Sequence, residues 1–409
     1  MNFIYDKEKT YVVGVSGGPD SMALLNMLYE QGYKLIVCLV NYNTREECIV
    51  EQTKVKEYCL KRNIHFETIH VIYYKKYGNF EAWARNVRYT FFLETVKKYR
   101  CEGVFIAHHQ GDLIETYLIQ KQRRIITKYF GLKEETNLLG IKIIRPLLKF
   151  TKEQLVEYCV ENNLFYSIDV TNLENDHLRN KIRNQILSKY TQEDIKKTLE
   201  KIEKENLKRK ISVEKIENIV KTDKISIEEF LNLEEVEQHL LLYHVITTKI
   251  KEMISKLSYY RIHELIKTLK SDKPNVFIKL YGSYYFIREY NSFFVKEVQD
   301  EDSFSYIMKG PSILDTKEFY CDFRVDTSNL KIYESSYPLT FRNVKESDVV
   351  KFGNIHKKVN RILIDDKVPL SIRKRYPIVE DKDGNIVYIP LYRSEIQKKI
   401  ANKLKFVVK

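Results

Sequence analysis

Short apolar runs alternate with amphipathic stretches along the first 190 residues. Strand-like runs lie at 10–15, 34–42, 65–71 and 103–108, and helical patterns lie at 20–30, 45–62, 80–99 and 112–122. Alternation of strand and helix at this spacing predicts a Rossmann-like α/β domain, in which a parallel sheet is connected by crossover helices. Because such sheets bind ligands at the carboxyl ends of their strands, we expect functional residues at 14–20 and 107–112.

The pattern changes twice in the rest of the chain. Residues 192–269 are helical in character and strongly charged, and 275–298 alternate aromatic and polar positions, which is typical of a hairpin. After Pro338 the runs are short and separated by turn residues. We therefore predict three domains: a catalytic α/β domain at 1–190, a mainly helical middle domain with a hairpin at 191–335, and a small α+β C-terminal domain at 336–409.

A glycine-rich loop joins the first predicted strand to the first predicted helix. It consists of Ser16, Gly17, Gly18, Pro19, Asp20 and Ser21. Two glycines allow backbone N–H groups to turn toward one point, and the following helix adds the positive end of its dipole. The loop therefore predicts a phosphate site, which differs from the Walker pattern GxxxxGK[ST]. The ordinary alternative is a tight turn with Ser16 or Asp20 as the helix cap.

Two further groups of charged residues follow helical spacing. Asp112 and Glu115 are three residues apart after the strand at 103–108, so they share a helix face and could hold Mg²⁺ or accept a proton from an amine. Arg85 and Arg88 share a face of the helix at 80–99 and suit phosphate or RNA. The alternatives are a capped helix start for the acids and an exposed ion-paired face for the arginines.

Basic residues are concentrated in two segments. Residues 177–192 contain four Lys and Arg and no acid, among them Arg179 and Arg183. Residues 357–375 contain seven basic residues and two acids, with Lys357, Lys358 and Arg373 among the basic ones. Dense positive charge at this local scale indicates contact with nucleic acid, mostly through phosphates. The net charge of +13 for the whole chain is a weaker indication, because AT-rich coding also enriches lysine.

Composition excludes several classes of protein. No run approaches the 18 apolar residues of a membrane helix, and the first residues lack the apolar region of a secretory signal. The six cysteines contain no CxxC pair, which argues against a zinc knuckle or a disulfide scaffold. We expect a reduced, soluble protein of the cytoplasm. Its oligomeric state stays open, with a homodimer as one alternative.

Together these motifs resemble the tRNA(Ile)-lysidine synthase family, within the PP-loop ATP pyrophosphatases. The segments that carry the resemblance are SGGPDS at 16–21, EAWARNVRY at 81–89, HHQGDLIET at 108–116, RPLL at 145–148, DVTN at 169–172 and RNKIRN at 179–184. The resemblance implies that ATP and Mg²⁺ are used to adenylate the wobble cytidine of a tRNA(Ile) with a CAU anticodon. The ε-amine of free lysine then displaces AMP and lysidine forms.

The site residues are assigned on this basis. The catalytic residues are Asp20, Asp112, Glu115 and Arg85, and the residues of 16–21 bind ATP. Mg²⁺ is assigned to Asp20 and Asp112. The residues assigned to tRNA are Arg88, Arg179, Arg183, Lys357, Lys358 and Arg373.

The chain departs from the family pattern at some positions, and other functions stay open. Gly111 stands where the family often has a second acid, and 120–140 lacks the usual glycine-rich turn. Uridine thiolases of the same superfamily use well-separated cysteines, so cysteine spacing does not exclude them, whereas glutamine-fed amidases need a glutaminase segment that we do not find. A non-catalytic RNA-binding protein is the alternative from a different class.

Overall fold

The alternating pattern of the N-terminal region folds into a six-stranded sheet with helices packed on both faces. The strands are β1 (Thr10–Gly14), β2 (Lys34–Asn41), β3 (His65–His70), β4 (Gly103–Ile106), β5 (Glu135–Leu138) and β6 (Ile141–Ile144). The helices are α1 (Pro19–Glu30), α2 (Glu47–Lys61), α3 (Phe80–Tyr99), α4 (Gln110–Gln122) and α5 (Lys152–Glu161). All eight elements expected at 10–122 are present, with ends shifted by up to two residues.

The computed structural model describes residues 2–44, 47–167, 181–298, 303–330, 332–352, 355–373, 375–390 and 404–409. The chain divides into two units, Met1–Lys215 and Ile216–Lys409. The two boundaries between the three domains expected from the sequence stay predictions. None of the helices in the described ranges is long and apolar enough to cross a membrane.

The sheet has the order β3-β2-β1-β4-β6-β5, and β1 pairs in parallel with both β2 and β4. The chain thus builds outward from β1 in both directions, and the carboxyl ends of β1 and β4 flank the point where the strand order reverses. Open α/β sheets bind their ligands at such a point, since the loops there diverge and leave a crevice. The predicted Rossmann-like parallel sheet is confirmed.

The sequence of β1 explains its central place. Val12 packs in the apolar cluster that includes α3, whereas Val13 packs in the cluster that includes α1, α2 and α5. A strand that is apolar on both faces is typical of a parallel sheet covered on both sides. At Gly14 a β-carbon would lie 2.6 Å from Cζ of Phe92, so the approach of α3 leaves no room for a side chain there.

The antiparallel pair β5–β6 was not expected from the sequence. Its first strand is short and polar, and its turn at Leu139 and Gly140 has φ values of +54° and +83°. β6 extends the sheet in parallel beside β4, while β5 covers its edge. Strand pairing across the sheet, rather than local propensity, stabilises this segment.

The second unit begins within the long helix α6 (Gln192–Ile219), and its described residues form short helices and four small sheets. Its helices after α6 are α7 (Ile227–Leu231), α8 (Glu235–Lys249), α9 (Tyr259–Lys270), α10 (Val359–Asp365) and α11 (Leu370–Arg373). The strands up to residue 322 are β7 (Ile225–Ser226), β8 (Asn275–Tyr281), β9 (Tyr284–Glu289), β10 (Ser292–Glu297), β11 (Ser305–Met308), β12 (Ile313–Asp315) and β13 (Phe319–Asp322). The later strands are β14 (Leu339–Asn343), β15 (Val349–Phe352), β16 (Ile355–Lys358), β17 (Pro377–Glu380), β18 (Ile386–Tyr388) and β19 (Val407–Val408).

Strand pairing in this unit adds detail to the predicted organisation. The segment expected as a hairpin is a three-stranded antiparallel meander, β8–β9–β10, extended by β7. β11 pairs with β14, so one sheet contains strands from both sides of the boundary predicted at 335/336. Two aromatic residues of this region, Tyr376 and Tyr388, are both buried. The helical middle segment and the small α+β C-terminal segment are confirmed as fold classes.

Candidate active site

Hydrogen bonds to the hydroxyl of Ser21 fix the conformation of the glycine-rich loop. The amide of Ser16 donates to Oγ of Ser21 over 3.2 Å, and that hydroxyl donates to the carbonyl of Gly18 over 2.9 Å. Gly17 has φ of +84°, a left-handed conformation that favours glycine, and its carbonyl accepts from the amide of Ser167. These bonds, which include the side chain of Ser21 in the first helical turn, fix the turn between β1 and α1.

The N-terminus of α1 is available for an anion. Gly18 is the N-cap and makes no side-chain capping bond, and Pro19 occupies the first helical position, where a missing N–H costs nothing. The first-turn amides therefore keep their positive dipole end for a ligand such as phosphate. Of the alternatives weighed from sequence, a cap by Ser16 or Asp20 is not present.

Asp20 lies in the first turn of α1 with its two carboxylate oxygens in different surroundings. Oδ2 is 2.6 Å from Nζ of Lys152 at the start of α5. Oδ1 is buried and has no hydrogen-bond partner. A buried oxygen without a donor costs free energy unless something binds it, and a Mg²⁺ ion is the ligand that a carboxylate beside a phosphate loop would take.

The segment after β4 forms the second part of the site. The amide of His109 donates to Oδ2 of Asp112 over 2.9 Å, and the amide of Gly111 donates to Nδ1 of His109 over 3.0 Å, which together form a capping box at α4. A β-carbon at Gly111 would lie 2.7 Å from Cε1 of His109. The imidazole thus occupies the room that an acid at position 111 would need.

Asp112 and Glu115 share a helix face, as the spacing predicted, and one guanidinium joins them. Nη2 of Arg183 lies 2.9 Å from Oε2 of Glu115 and 3.4 Å from Oδ1 of Asp112. Glu115 is fully buried, whereas the Arg183 side chain is 41% exposed. Arg183 lies in the π-helical segment Ile182–Ile186, far along the chain from α4, so only the fold brings the three residues together.

The local charges keep Asp112 ionised. Burial acts to raise the pKa of Asp112, but His109, His108, the His109 amide and Arg183 outweigh burial, so the pKa lies below its ordinary value. A carboxylate with a lowered pKa is a weak proton acceptor and a strong partner for cations. This environment suits electrostatic work better than general-base work.

A buried arginine contacts the segment that follows β4. Arg145 follows β6, and its Nε donates to Nδ1 of His108 over 3.1 Å, while Nη1 donates to the carbonyl of Lys133. Burial lowers the pKa of Arg145 from its ordinary value; Tyr89 opposes this shift, and the charge of Arg85 adds to it. The motif RPLL singled out in the sequence thus orients His108.

Arg85 and Arg88 lie on the exposed side of α3. The guanidinium of Arg85 packs over the ring of Tyr89, with 4.7 Å to the ring centroid. Nε of Arg88 donates to the hydroxyl of Tyr42, the residue that follows β2, over 3.4 Å. Arg88 is therefore held near the carboxyl end of β2, whereas Arg85 rests on a ring of its own helix.

An aromatic cluster beside Arg88 was not predicted from the sequence. Trp83 is surrounded by four rings within 6.0 Å between centroids, those of Tyr42, Tyr73, Tyr77 and Phe80. Tyr77 stacks on Trp83 at an interplanar angle of 6° and is 48% exposed. The signal that could have revealed it is the spacing of aromatic residues between 73 and 83.

The remaining residues predicted to contact tRNA belong to the second unit or lie outside the described ranges. Arg179 lies outside the described residues, as does the motif at 169–172. Lys358 is exposed, and Lys357 pairs with Asp365 over 2.9 Å. Arg373 is buried, and its Nε donates to the carbonyl of Val368. Its place inside the fold gives Arg373 a structural role, and its assignment to tRNA stays a prediction.

Comparison with known proteins gives consistent relatives. A family model described as a PP-loop domain matches residues 2–190. A tRNA(Ile)-lysidine synthase of Mesoplasma florum is 33% identical over 90% of this chain and 94% of its own length. The enzyme of that name from Bacillus cereus is 30% identical over 99% of this chain and 94% of its own. Among solved structures, the U34-tRNA thiolase NcsA of Methanococcus maripaludis covers 48% of this chain and 74% of its own, with 17% identity and a TM-score of 0.38.

Proposed function

The chain belongs to the tRNA(Ile)-lysidine synthase family, and from this premise we propose that it joins free lysine to the wobble cytidine of tRNA(Ile) with a CAU anticodon. The cytidine is adenylated by ATP with release of pyrophosphate. The ε-amine of lysine then forms the new C–N bond, and AMP leaves. The observation that carries the proposal is the position of two groups at neighbouring strands. The phosphate loop follows β1, and the Asp112–Glu115–Arg183 cluster is built on the helix that follows β4, the strand that pairs in parallel with β1.

The loop binds the phosphates of ATP in this proposal. The first-turn amides of α1 face the anion and need no movement to do so, because Ser21 already holds the turn. The orphaned Oδ1 of Asp20 fits Mg²⁺, which would neutralise charge on the departing pyrophosphate. Asp112 fits a metal less well, since both of its oxygens have partners.

The Asp112–Glu115–Arg183 cluster handles the second half of the reaction. Glu115 and Asp112 hold the guanidinium of Arg183 at the carboxyl end of β4. Their negative charge also attracts the ammonium group of lysine, which must lose a proton before its nitrogen can attack. We assign Glu115 and Asp112 as positioning residues for Arg183 and for the lysine amine.

The thiolase alternative is not favoured by the state of the cysteines. All six cysteines lie in the described ranges as free thiols, and five of them are buried. Burial raises the pKa of Cys38, Cys59 and Cys321 to about 12 and that of Cys159 to about 11. Thiols of this kind are poor nucleophiles at neutral pH.

A cytoplasmic location and the use of free lysine are further parts of the proposed function, and dimerisation stays open.

The test of this function is direct. Purified protein is incubated with tRNA(Ile), ATP and isotopically labelled lysine, and the tRNA is digested and its nucleosides are analysed by mass. We expect a labelled lysidine nucleoside and equal amounts of AMP and pyrophosphate. A non-catalytic RNA-binding protein would bind the tRNA and release neither product. Pyrophosphate release without incorporation of lysine would contradict the proposed ligation.

We expect the aromatic cluster around Trp83 to stack on an unpaired base of the RNA. Base stacking on an aromatic residue contributes about 1–3 kcal/mol, so Trp83→Ala should weaken tRNA binding by roughly 5- to 150-fold. Trp83→Phe keeps a ring and is the matched control. Filter binding of tRNA and separate titration with ATP measure the effect. Unchanged tRNA affinity in Trp83→Ala would show that the cluster only packs α3 against β2 and β3.

We expect Lys357 and Lys358 to contact RNA phosphates. Replacing both by glutamine should reduce the slope of log affinity against log salt by roughly 0.7–0.9 per lost contact. Lys317→Gln, at a lysine that is 76% exposed in the turn between β12 and β13, is the matched control. Point changes suit this test better than removal of the C-terminal segment, because a truncation before β14 would remove the strand that pairs with β11. An unchanged salt slope in the double variant would remove this segment from the docking surface.

A further inference from the structure

Two histidines and a glutamate in the second unit form a cluster that the ligation reaction does not use. Glu235 and His239 are four residues apart on α8 and share one face, and His263 lies on α9, which packs against α8. One oxygen or nitrogen from each of the three side chains lies within 4.8 Å of the other two. This is the one such group of His, Cys, Asp or Glu among the residues the structure describes.

The hydrogen bonds of His239 define which of its nitrogens is free to bind. Nδ1 lies 2.7 Å from the carbonyl oxygen of Glu235. A carbonyl can only accept, so Nδ1 carries the proton and Nε2 presents a lone pair. His239 is 5% exposed, and its Nε2 is buried without a hydrogen-bond partner. A backbone carbonyl on one nitrogen and an unpartnered lone pair on the other is the arrangement of a metal-binding imidazole.

His263 has the same deficiency. Its Nδ1 is buried and has no hydrogen-bond partner either. The two imidazole rings have centroids 5.7 Å apart and differ by 20° in plane, so they do not satisfy each other with a hydrogen bond between their edges. Buried polar atoms without partners cost free energy, and one ligand bound by both nitrogens would remove this cost for both residues.

The surrounding residues orient the cluster. The ring of Tyr259 lies against His239, with centroids 4.5 Å apart and planes 10° apart, and its hydroxyl donates to Oε1 of Glu235 over 3.3 Å. Tyr259 therefore restrains both the imidazole and the carboxylate. Glu235 is exposed, so solvent can reach the cluster from its side and complete the coordination of an ion.

We propose that Glu235, His239 and His263 bind one divalent transition-metal ion, with Zn²⁺ as the best match. Two imidazoles, one carboxylate and a water form a common tetrahedral set for Zn²⁺. Mg²⁺ and Ca²⁺ prefer oxygen ligands, so a site with two nitrogens selects against them. The bound ion links α8 to α9 and stabilises the helical part of the second unit. The inference does not depend on the proposed ligation, because none of the three residues is assigned to it.

The experiment uses the full chain after removal of metal with a chelator and dialysis. Titration with Zn²⁺ in competition with a chromophoric chelator gives stoichiometry and affinity, and Co²⁺ serves as a spectroscopic probe through its visible absorption bands. We expect one bound ion per chain, a higher melting temperature with Zn²⁺, and Co²⁺ bands of a site with nitrogen and oxygen ligands. Loss of an outer-shell partner costs about 10–100-fold in metal affinity, so loss of a direct ligand in His263→Gln should weaken binding by at least roughly 100-fold.

His244→Gln is the matched control, since it removes a histidine from the same helix outside the cluster. His239→Gln is the second test variant; should it fail to fold, His263→Gln still decides the question, because His263 is only partly buried. Equal stoichiometry and affinity in the wild type and His263→Gln would overturn the proposal, as would a wild-type protein that binds no Zn²⁺. Loss of one equivalent in His263→Gln but not in His244→Gln would support it.

Discussion

Replacing Asp20 by alanine is expected to reduce the formation of AMP and pyrophosphate by roughly 100-fold or more. Asp20 has one oxygen on Lys152 and one buried oxygen without a partner at the start of α1, beside the phosphate loop. Removing one preorganised donor from an oxyanion hole costs about 10²–10³ in rate, about 2.7–4 kcal/mol, and we expect an electrostatic effect of this order for Asp20. Adenylation rates measured by pyrophosphate release, with tRNA and lysine present, check this expectation.

The fold should survive this change. The ion pair between Asp20 and Lys152 is partly exposed, and such pairs contribute at most about 1 kcal/mol to stability. Glu30→Gln, at the other end of the same helix, is the matched control and should retain the wild-type rate. Melting temperatures of all three proteins should agree within a few degrees. A wild-type rate of pyrophosphate release in Asp20→Ala would show that the orphaned oxygen has no part in the chemistry.

Glu115→Gln is expected to slow the transfer of lysine at least tenfold, about 1.4 kcal/mol in barrier, while adenylation is less affected. The substitution keeps the shape of the side chain and removes the charge that holds Nη2 of Arg183 at 2.9 Å. Arg183 is 41% exposed, so water can solvate its guanidinium and the protein should stay folded. Single-turnover measurement of lysine incorporation and of pyrophosphate release separates the two steps.

A double-mutant cycle distinguishes positioning of Arg183 by Glu115 from independent contributions of the two residues to the rate. If Glu115 acts by holding Arg183, the rate of Glu115→Gln/Arg183→Gln should be close to that of the slower single variant. Glu102→Gln, an exposed acid just before β4, is the control for a lost negative charge. Should Glu115→Gln incorporate lysine at the wild-type rate, the two carboxylates only cap and pack α4. Additive effects in the cycle would instead assign Glu115 and Arg183 to separate tasks.

Several features of the protein could be read from local pattern alone. The strands and helices at 10–122 follow directly from apolar periodicity, since β1 is apolar on both faces and α1 follows a glycine pair. The phosphate loop follows from the same local rules, because a left-handed Gly17 and a proline at the first helical position serve one turn. The shared face of Asp112 and Glu115 is likewise a property of helical spacing.

Contacts between distant segments could not be read in this way. Arg183 meets Glu115 across 68 residues of sequence, and Asp20 meets Lys152 across 132. Neither local pattern identifies the partner, because the chain contains 56 acidic residues with which any one basic residue could pair. The same holds for β5 and β11, whose short polar or mixed sequences become strands only when β6 and β14 supply the hydrogen bonds.

Burial is the second property that required the three-dimensional structure. Arg373 resembles Lys358 in sequence as one more basic residue, yet Arg373 is enclosed and bonded to the carbonyl of Val368. The unpartnered nitrogens of His239 and His263 also become visible only when α8 and α9 are packed. Local pattern determines which backbone conformation a segment adopts, since that depends on neighbours in the chain. Which side chains lose water, and which charges then face each other, depends on segments far apart in the chain and is settled by packing.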